Sequence, residues 1–360
     1  MAGASPRTPR IAMVAAGADI LGGQFVQAAS LAAALRSDGA DVSFLPVNPP
    51  FPAGLRWARR LPYARTILNE ALYLPSLRAL RRADVVHVFS ASYWSFLMGP
   101  AAAISMARAL RKRVILHYHS GEAERHLARW GALVHPWLRR VDAIVVPSDY
   151  LRGIFAAHGY QARVIRNVVE TPRFRYHDRV PLRPRLLSTR NFEPHYRVEN
   201  TLRAFAILRS RHPGASLTLA GYGSQEESLR RLADRLGQQG IRFAGRVANE
   251  DVPAIYEDAD IFVNSSVVDN QPVSILEAFA SGLPVVSTGT GDIPAMVGHG
   301  ERGLLVPPDR PEAMADAVAG LLMEPRRALG MTRRALRATR DYDWTSVRQD
   351  WWTVYAGRAS

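Results

Sequence analysis

Six short apolar runs punctuate the first half of the chain, at 11–15, 42–45, 85–88, 114–116, 143–146 and 164–165. None alternates with polar residues, and amphipathic or alanine-rich stretches such as 24–35 lie between most of them. Strands that avoid water on both faces and are separated by helices predict a parallel sheet covered on each side. The stretch "TPRFRYHDRVPLRP", 171–184, breaks this rhythm with three prolines and four arginines. It reads as a linker over 173–184. The rhythm then restarts, with strands expected at 185–188, 216–220, 241–243, 261–263, 284–287 and 303–306. Two successive doubly wound halves result, a domain over 1–172 and another over 185–340, and a cleft is expected between them. The tail, 341–360, carries Trp344, Trp351, Trp352 and Tyr355 on a predicted terminal helix, whose large rings suit packing across a domain surface.

"VDNQPVSILEAFASGLPVV", 268–286, concentrates the chemistry. Pro272 suits the first helical position, where its missing N–H costs nothing, and Ser281-Gly282 supplies a left-handed stop. The spacing predicts a helix over 272–280 that buries Ile275 and Phe279 together with Pro272 and Leu276, and leaves Val273, Ser274 and Glu277 on the other side. Free N–H groups of the first turn then point out of the loop beside two carboxylates, Asp269 just before them and Glu277 one turn on. Such a helix start holds an anion, and a neighbouring carboxylate grips neutral hydroxyls. A ligand with both phosphate and sugar fits, and a nucleotide sugar has both.

Composition narrows the remaining choices. At 360 residues and 48% hydrophobic content, two well-filled cores are expected. The absence of Cys excludes disulfides, thiolate metal sites and cysteine nucleophiles, and it fits a reducing compartment such as the cytoplasm. No apolar stretch suits a signal peptide or a membrane span, since the longest, 96–107, contains Gly99 and Pro100. The net charge of +14 comes almost wholly from arginine, with Lys112 the one lysine. Arginine suits phosphate or carboxylate recognition, so an anionic bilayer, a nucleic acid or a phosphorylated substrate all qualify, as does a simple compositional bias. A basic stripe for nucleic acid is not evident, and that partner is set aside. Residues 54–82, "GLRWARRLPYARTILNEALYLPSLRALRR", mix arginines with Trp57, Tyr63, Tyr73 and leucines, as an interfacial helix or an ordinary surface helix would.

Further candidates lie at predicted strand ends. Gly22 and Gly23 stand between a strand and a helix, where glycine admits a phosphate or sugar to backbone N–H groups or simply makes a tight turn. "LHYHSGE" delivers His117 and His119 after the fourth strand, on one side of it. His119 can bond a hydroxyl or act as acid or base, whereas His117 reads as core. An HxH pair also suits zinc, but a third ligand is not evident. Gly221 and Gly223 in "LAGYGSQEE" fail the dinucleotide fingerprint, because Glu226 occupies the third glycine position, which disfavours a hydride-transfer enzyme. Arg190 at a strand end and Arg197 at a helix start are cations able to neutralise a departing diphosphate. Asp258 and Asp260 in "EDAD" read as structural rather than as a magnesium site.

Read together, these residues resemble the retaining glycosyltransferases of the GT-B superfamily, family 4, also called glycosyltransferase group 1. The resemblance runs over nearly the whole chain and is strongest at "DNQPVSILEAFASGLPVVSTGTG", 269–291, which is similar to the family's acid, seven residues, glutamate signature. "HSG", "VIRNVVETPRF", "AGYG" and "FAGRV", which contains Arg246, add to it. The resemblance implies two Rossmann-like domains facing each other across a cleft, the first on the acceptor side and the second on the donor side, with the C-terminal helix crossing back to the first. It implies that Glu277 binds the nucleotide ribose, and that Asp269 and the backbone after it, from Asn270, Gln271, Pro272, Val273 and Ser274, hold the donor sugar. His119 would lie near the reacting carbon and Arg190 on the diphosphate. Gly22, Gly23, Gly221, Gly223 and Arg246 complete the expected donor site. Two departures stand out: Asp269 replaces the usual glutamate, and Tyr196 stands near the usual lysine with Arg197 beside it.

The activity so implied is transfer of a sugar from a UDP- or GDP-sugar to an acceptor hydroxyl with retained configuration, with no metal or other cofactor. The acceptor would be a glycan or lipid-linked molecule of cell-surface polysaccharide or glycolipid synthesis, met in the cytoplasm with peripheral contact to an anionic inner membrane face. The alternative is a non-catalytic relative that binds sugar nucleotides or glycans.

Overall fold

The apolar runs form two six-stranded sheets in which every adjacent pair of strands is parallel. The structure is a computed structural model and describes residues 8–17, 23–90, 92–237 and 239–357. The first sheet contains β1 (Ile11–Ala15), β2 (Val42–Pro46), β3 (Val85–Phe89), β4 (Arg113–His117), β5 (Ala143–Val146) and β6 (Ala162–Val164), in the order β2-β1-β3-β4-β5-β6. The second contains β7 (Arg185–Ser188), β8 (Ser216–Ala220), β9 (Ile241–Gly245), β10 (Ile261–Asn264), β11 (Val285–Thr288) and β12 (Leu304–Val306), in the order β12-β11-β10-β7-β8-β9. Helices fill the connections, as parallel neighbours require. One expected strand is displaced, since 164–165 gives way to Ala162–Val164: Ile165 donates its N–H to Val146 as the chain leaves the sheet edge.

Two compact units follow, one of residues 1–168 with 344–360 and one of residues 169–343. In the first, β1, β3 and β4 are buried on both faces, and two apolar clusters cover them. The terminal helix Trp344–Ala356 supplies part of one cluster through Val347, Trp351, Val354 and Tyr355. The Tyr355 hydroxyl lies 2.8 Å from Nδ1 of the buried His87, and Trp352 donates its indole N–H to Asp38 at 3.2 Å. A buried phenol needs such a polar neighbour. In the second unit β7, β10 and β11 are likewise sandwiched between two clusters. Each aliphatic side chain fully buried there contributes about 1.5–3 kcal/mol, which is why the short runs suffice without alternation.

The stretch expected as a linker lies within the second unit. Phe174 joins its core, and Arg179 is buried, donating to the carbonyls of Ala259 at 2.7 Å and Tyr256 at 2.8 Å and to that of Ser281. Burial lowers its pKa to about 10 despite the nearby Asp260. Asp260 is itself bound by Arg185. The "EDAD" carboxylate thus anchors the start of β7.

Candidate active site

In an open parallel sheet, ligands settle where the strand order reverses, at the carboxyl ends of the strands. In the second unit that point lies between β7 and β10. Arg190 follows β7 and Asp269 follows β10, and the two side chains form an ion pair. The Arg190 guanidinium also donates from Nη1 to Ser274 Oγ at 3.1 Å, and its carbon lies 4.1 Å from the centre of the Tyr196 ring. It is only 9% exposed. Burial disfavours its charge, yet Asp269, Tyr196, Tyr256 and Glu277 outweigh that penalty and hold its pKa above the ordinary value. Among the described residues its Nε has no hydrogen-bond partner, which leaves a buried donor ready for an anion.

Ser274 sits in the first turn of the helix Val273–Ala280. Two expectations about this helix need correction. Pro272 precedes the helix rather than opening it, because its ψ of 117° keeps it extended, and Val273 is the first helical residue. Ser274 is buried with Ile275 and Leu276, so that Val273 and Glu277, one turn apart, are the helix positions left partly open. No side chain among the described residues caps the helix start. The N–H groups of Val273 and Ser274 therefore remain for another acceptor, while that of Ile275 donates to the Pro272 carbonyl at 3.1 Å.

Glu277 Oε2 accepts a 2.8 Å hydrogen bond from the Tyr256 hydroxyl, which also approaches the Ser274 carbonyl at 3.1 Å and Thr189 Oγ1 at 2.8 Å. Burial raises the Glu277 pKa, and the Tyr256 hydrogen bond with the charges of Arg173 and Arg190 opposes that rise. Tyr256 links the acid to both strand ends, yet in sequence it resembles a core aromatic before a strand. Its OH and its place beside "EDAD" gave no local signal.

The loop before this helix is braced by the turn that follows β11. Asn270 N–H bonds to Asp269 Oδ1 at 2.9 Å, Asn270 carbonyl accepts from Asp292 N–H at 3.0 Å, and Gln271 donates to Asp292 at 3.1 Å. Gly291, at φ +58°, leaves room where a Cβ would stand 2.1 Å from the Asp269 carbonyl. Gly221 and Gly223 serve the Arg190 side in the same way: a Cβ would meet the Arg190 carbonyl at 2.2 Å or the Phe192 carbonyl at 2.5 Å. These glycines let two loops touch. Arg246, after β9, is exposed with its guanidinium 5.6 Å from the Tyr222 ring centre.

Arg197 has different company. It is left-handed at φ +50°, and its guanidinium pairs with Glu199 at 3.3 Å and Asp309 at 3.5 Å. The ring of Tyr196, and not the charge of Arg197, is what meets Arg190.

In the first unit, His119 follows β4 with its ring stacked on Phe89, 5.3 Å between centres, and tilted against His117 at 4.0 Å. Burial lowers its pKa to about 3, which leaves a neutral imidazole that can donate or accept one hydrogen bond at each nitrogen. His117 is buried, and among the described residues neither of its ring nitrogens finds a partner. Among the described residues no three His, Cys, Asp or Glu side chains converge as a metal site. Gly23 opens the helix Gly23–Ser37 after β1, while Gly22 lies outside the described residues.

Comparison with known proteins agrees with this architecture. Residues 21–173 match "Glycosyltransferase Family 4" and residues 183–324 match "Glycosyl transferases group 1". The chain is 30% identical over 285 residues to a glycogen synthase of Mycobacterium tuberculosis, covering 74% of this chain and 67% of that one. It is 28% identical over 307 residues to a GDP-mannose-dependent alpha-(1-6)-phosphatidylinositol monomannoside mannosyltransferase of the same species, covering 78% and 76%. Anabaena HepE in complex with UDP and glucose shares the fold, with a TM-score of 0.73 and 15% identity over 97% of this chain and 99% of that one. The chain belongs to glycosyltransferase family 4, group 1, and is a glycosyltransferase.

Proposed function

We propose that the protein moves a sugar from a nucleoside diphosphate sugar to an acceptor hydroxyl with retention of anomeric configuration. One observation carries the reading. Arg190, with an unsatisfied buried Nε, meets the uncapped start of the helix Val273–Ala280 at the reversal of the sheet, with Glu277 one turn further on. A diphosphate placed there gains a cation and helix N–H groups, and a ribose beyond it gains a carboxylate acceptor. In this reading Arg190 stabilises the charge that develops on the leaving diphosphate, and Asp269 with the backbone from Asn270 to Ser274 holds the donor sugar. His119, a neutral imidazole in the first unit, is able to hydrogen-bond a hydroxyl but supplies no formal charge.

The relatives' names support a UDP- or GDP-linked donor and an acceptor that is a glycan or a lipid-linked glycan, as in polysaccharide or glycolipid synthesis. Thermal shift against UDP-, GDP- and ADP-sugars identifies the donor, and proton NMR of the product reads its anomeric configuration. A stabilising donor with slow release of free sugar in the absence of acceptor is the expected result. A donor that stabilises the protein but is never turned over identifies the binding relative instead, and the absence of any stabilising nucleotide sugar overturns the proposal.

A further inference from the structure

The helix Pro62–Ser76 is turned the opposite way from an ordinary surface helix. Its inner side is fastened to the first unit: Asn69 donates to the Val47 carbonyl at 2.9 Å, and the buried Tyr73 donates its hydroxyl to Gly99 at 2.9 Å. Its outer side exposes Tyr63, Ile67, Ala71 and Leu74, which at 100° per residue fall within an arc of roughly 80°. Tyr63 is 86% and Ile67 71% exposed, and Trp57 in the preceding turn is 59% exposed. Among the described residues, six of the eleven large apolar side chains left exposed lie between 55 and 74. A contiguous apolar stripe marks an interaction surface, whereas scattered exposed residues do not.

The charge around the stripe selects its partner. Residues 54–82 hold seven arginines and one glutamate, a net charge of +6. Arg78, Arg81 and Arg82, in the turn Leu77–Arg82 that continues the helix, are exposed. A second copy docked face to face would set +6 against +6. An anionic bilayer satisfies both features: Trp, Tyr and aliphatic side chains enter the headgroup boundary, and arginines meet lipid phosphates. Among the described residues no helix is long and apolar enough to cross a membrane, so contact here is along the surface. We infer that the outward face of Pro62–Ser76, with Trp57 and Arg78 to Arg82 beside it, docks the protein onto an anionic membrane surface. This deepens the proposal of a lipid-linked acceptor and gives it a place, although the docking itself does not depend on transfer.

Sedimentation of the full-length protein with phosphatidylglycerol/phosphatidylcholine vesicles, against phosphatidylcholine vesicles, tests it without reference to activity. Binding is expected on the anionic vesicles alone and weakens as salt rises. The triple variant Tyr63→Ser/Ile67→Ser/Leu74→Ser loses about tenfold or more of that binding with an unchanged melting temperature. Arg78→Glu/Arg82→Glu loses a similar factor, while the same charge change at Arg326→Glu/Arg337→Glu, on the second unit, has little effect. Failure to bind anionic vesicles, equal loss from both arginine pairs, or unchanged binding by the triple variant overturns the inference. So does a concentration-dependent dimer in sedimentation velocity that the triple variant abolishes. Transfer to a soluble acceptor analogue by a protein that ignores vesicles would sink the docking alone and leave the proposed reaction standing.

Discussion

Asp269 at the end of β10 and Arg190 at the end of β7 are ion-paired across the one point where the second sheet reverses its order. Both side chains are nearly buried. Removing one partner of such a pair leaves the other charge uncompensated, a loss of about 3 kcal/mol. Asp269→Ala should therefore lower the urea midpoint as well as transfer activity. Asp269→Glu, the length usual in the family this sequence resembles, should restore both if the pair is what matters.

Tyr256 supports Glu277 through its hydroxyl. Tyr256→Phe removes one hydrogen bond to a charged group, worth about 1.5–3 kcal/mol, with little change in shape. The donor KM should rise about tenfold or more with kcat nearly unchanged, since a ribose contact binds ground and transition states alike. The pH profile carries a second signature. The hydroxyl opposes the burial that raises the Glu277 pKa, so losing it raises that pKa further. The charged form then disappears at higher pH, and the acid limb of kcat/KM should move upward in pH.

Gly291 and Gly300 share a left-handed backbone but not their surroundings. An added Cβ at Gly291 would strike the Asp269 carbonyl at 2.1 Å, while at Gly300 it would meet nothing within 4 Å among the described residues. Gly300→Ala should cost only the conformational strain, about 1–2 kcal/mol, and leave transfer intact. Gly291→Ala should additionally displace the Asp269 loop and abolish most activity, measurable as initial rates at matched folded concentration.

The strands were legible because sandwiching on both faces leaves a signature in consecutive residues: the runs at 11–15, 143–146, 185–188 and 216–220 are the strands themselves. The helix beside Asp269 was legible for the same reason, its start misplaced by one residue because proline suits both the first helical position and the one before it. Contacts between distant segments left no such trace. The pairing of Arg190 with Asp269 spans 79 residues, and that of Tyr256 with Glu277 depends on how the helices Val252–Glu257 and Val273–Ala280 approach. Charge, a helix start and the neighbouring lysine position of the family pointed to Arg197, whose backbone is left-handed at φ +50° and whose guanidinium pairs with Glu199 and Asp309. The segment 54–82 announced mixed apolar and basic character, but only tertiary packing through Asn69 and Tyr73 decides which face meets water.

Buried neutral histidines make the first unit sensitive to acid. Burial lowers the pKa of His87 and His119 to about 3 and of His126 to about 4, and places His117 well below its ordinary 6.5. Below about pH 6.5 the unfolded chain binds protons that the folded chain refuses, so stability falls as pH falls, by about 1.4 kcal/mol per pH unit for each ring that stays neutral when folded. Melting temperature should decline from pH 7 to 5. His117→Phe removes two buried, unpartnered nitrogens and one of these protonation sites. Its melting temperature should match or exceed the parent at pH 7, and its decline toward pH 5 should be shallower.

The most direct measurement is a crystal structure with an unhydrolysed nucleoside diphosphate sugar. The diphosphate should contact Arg190 Nε and the N–H groups of Val273 and Ser274, with a ribose hydroxyl on Glu277. A donor bound away from that helix start, or one whose phosphates leave the Arg190 to Asp269 pair untouched, would contradict the assignment of this site.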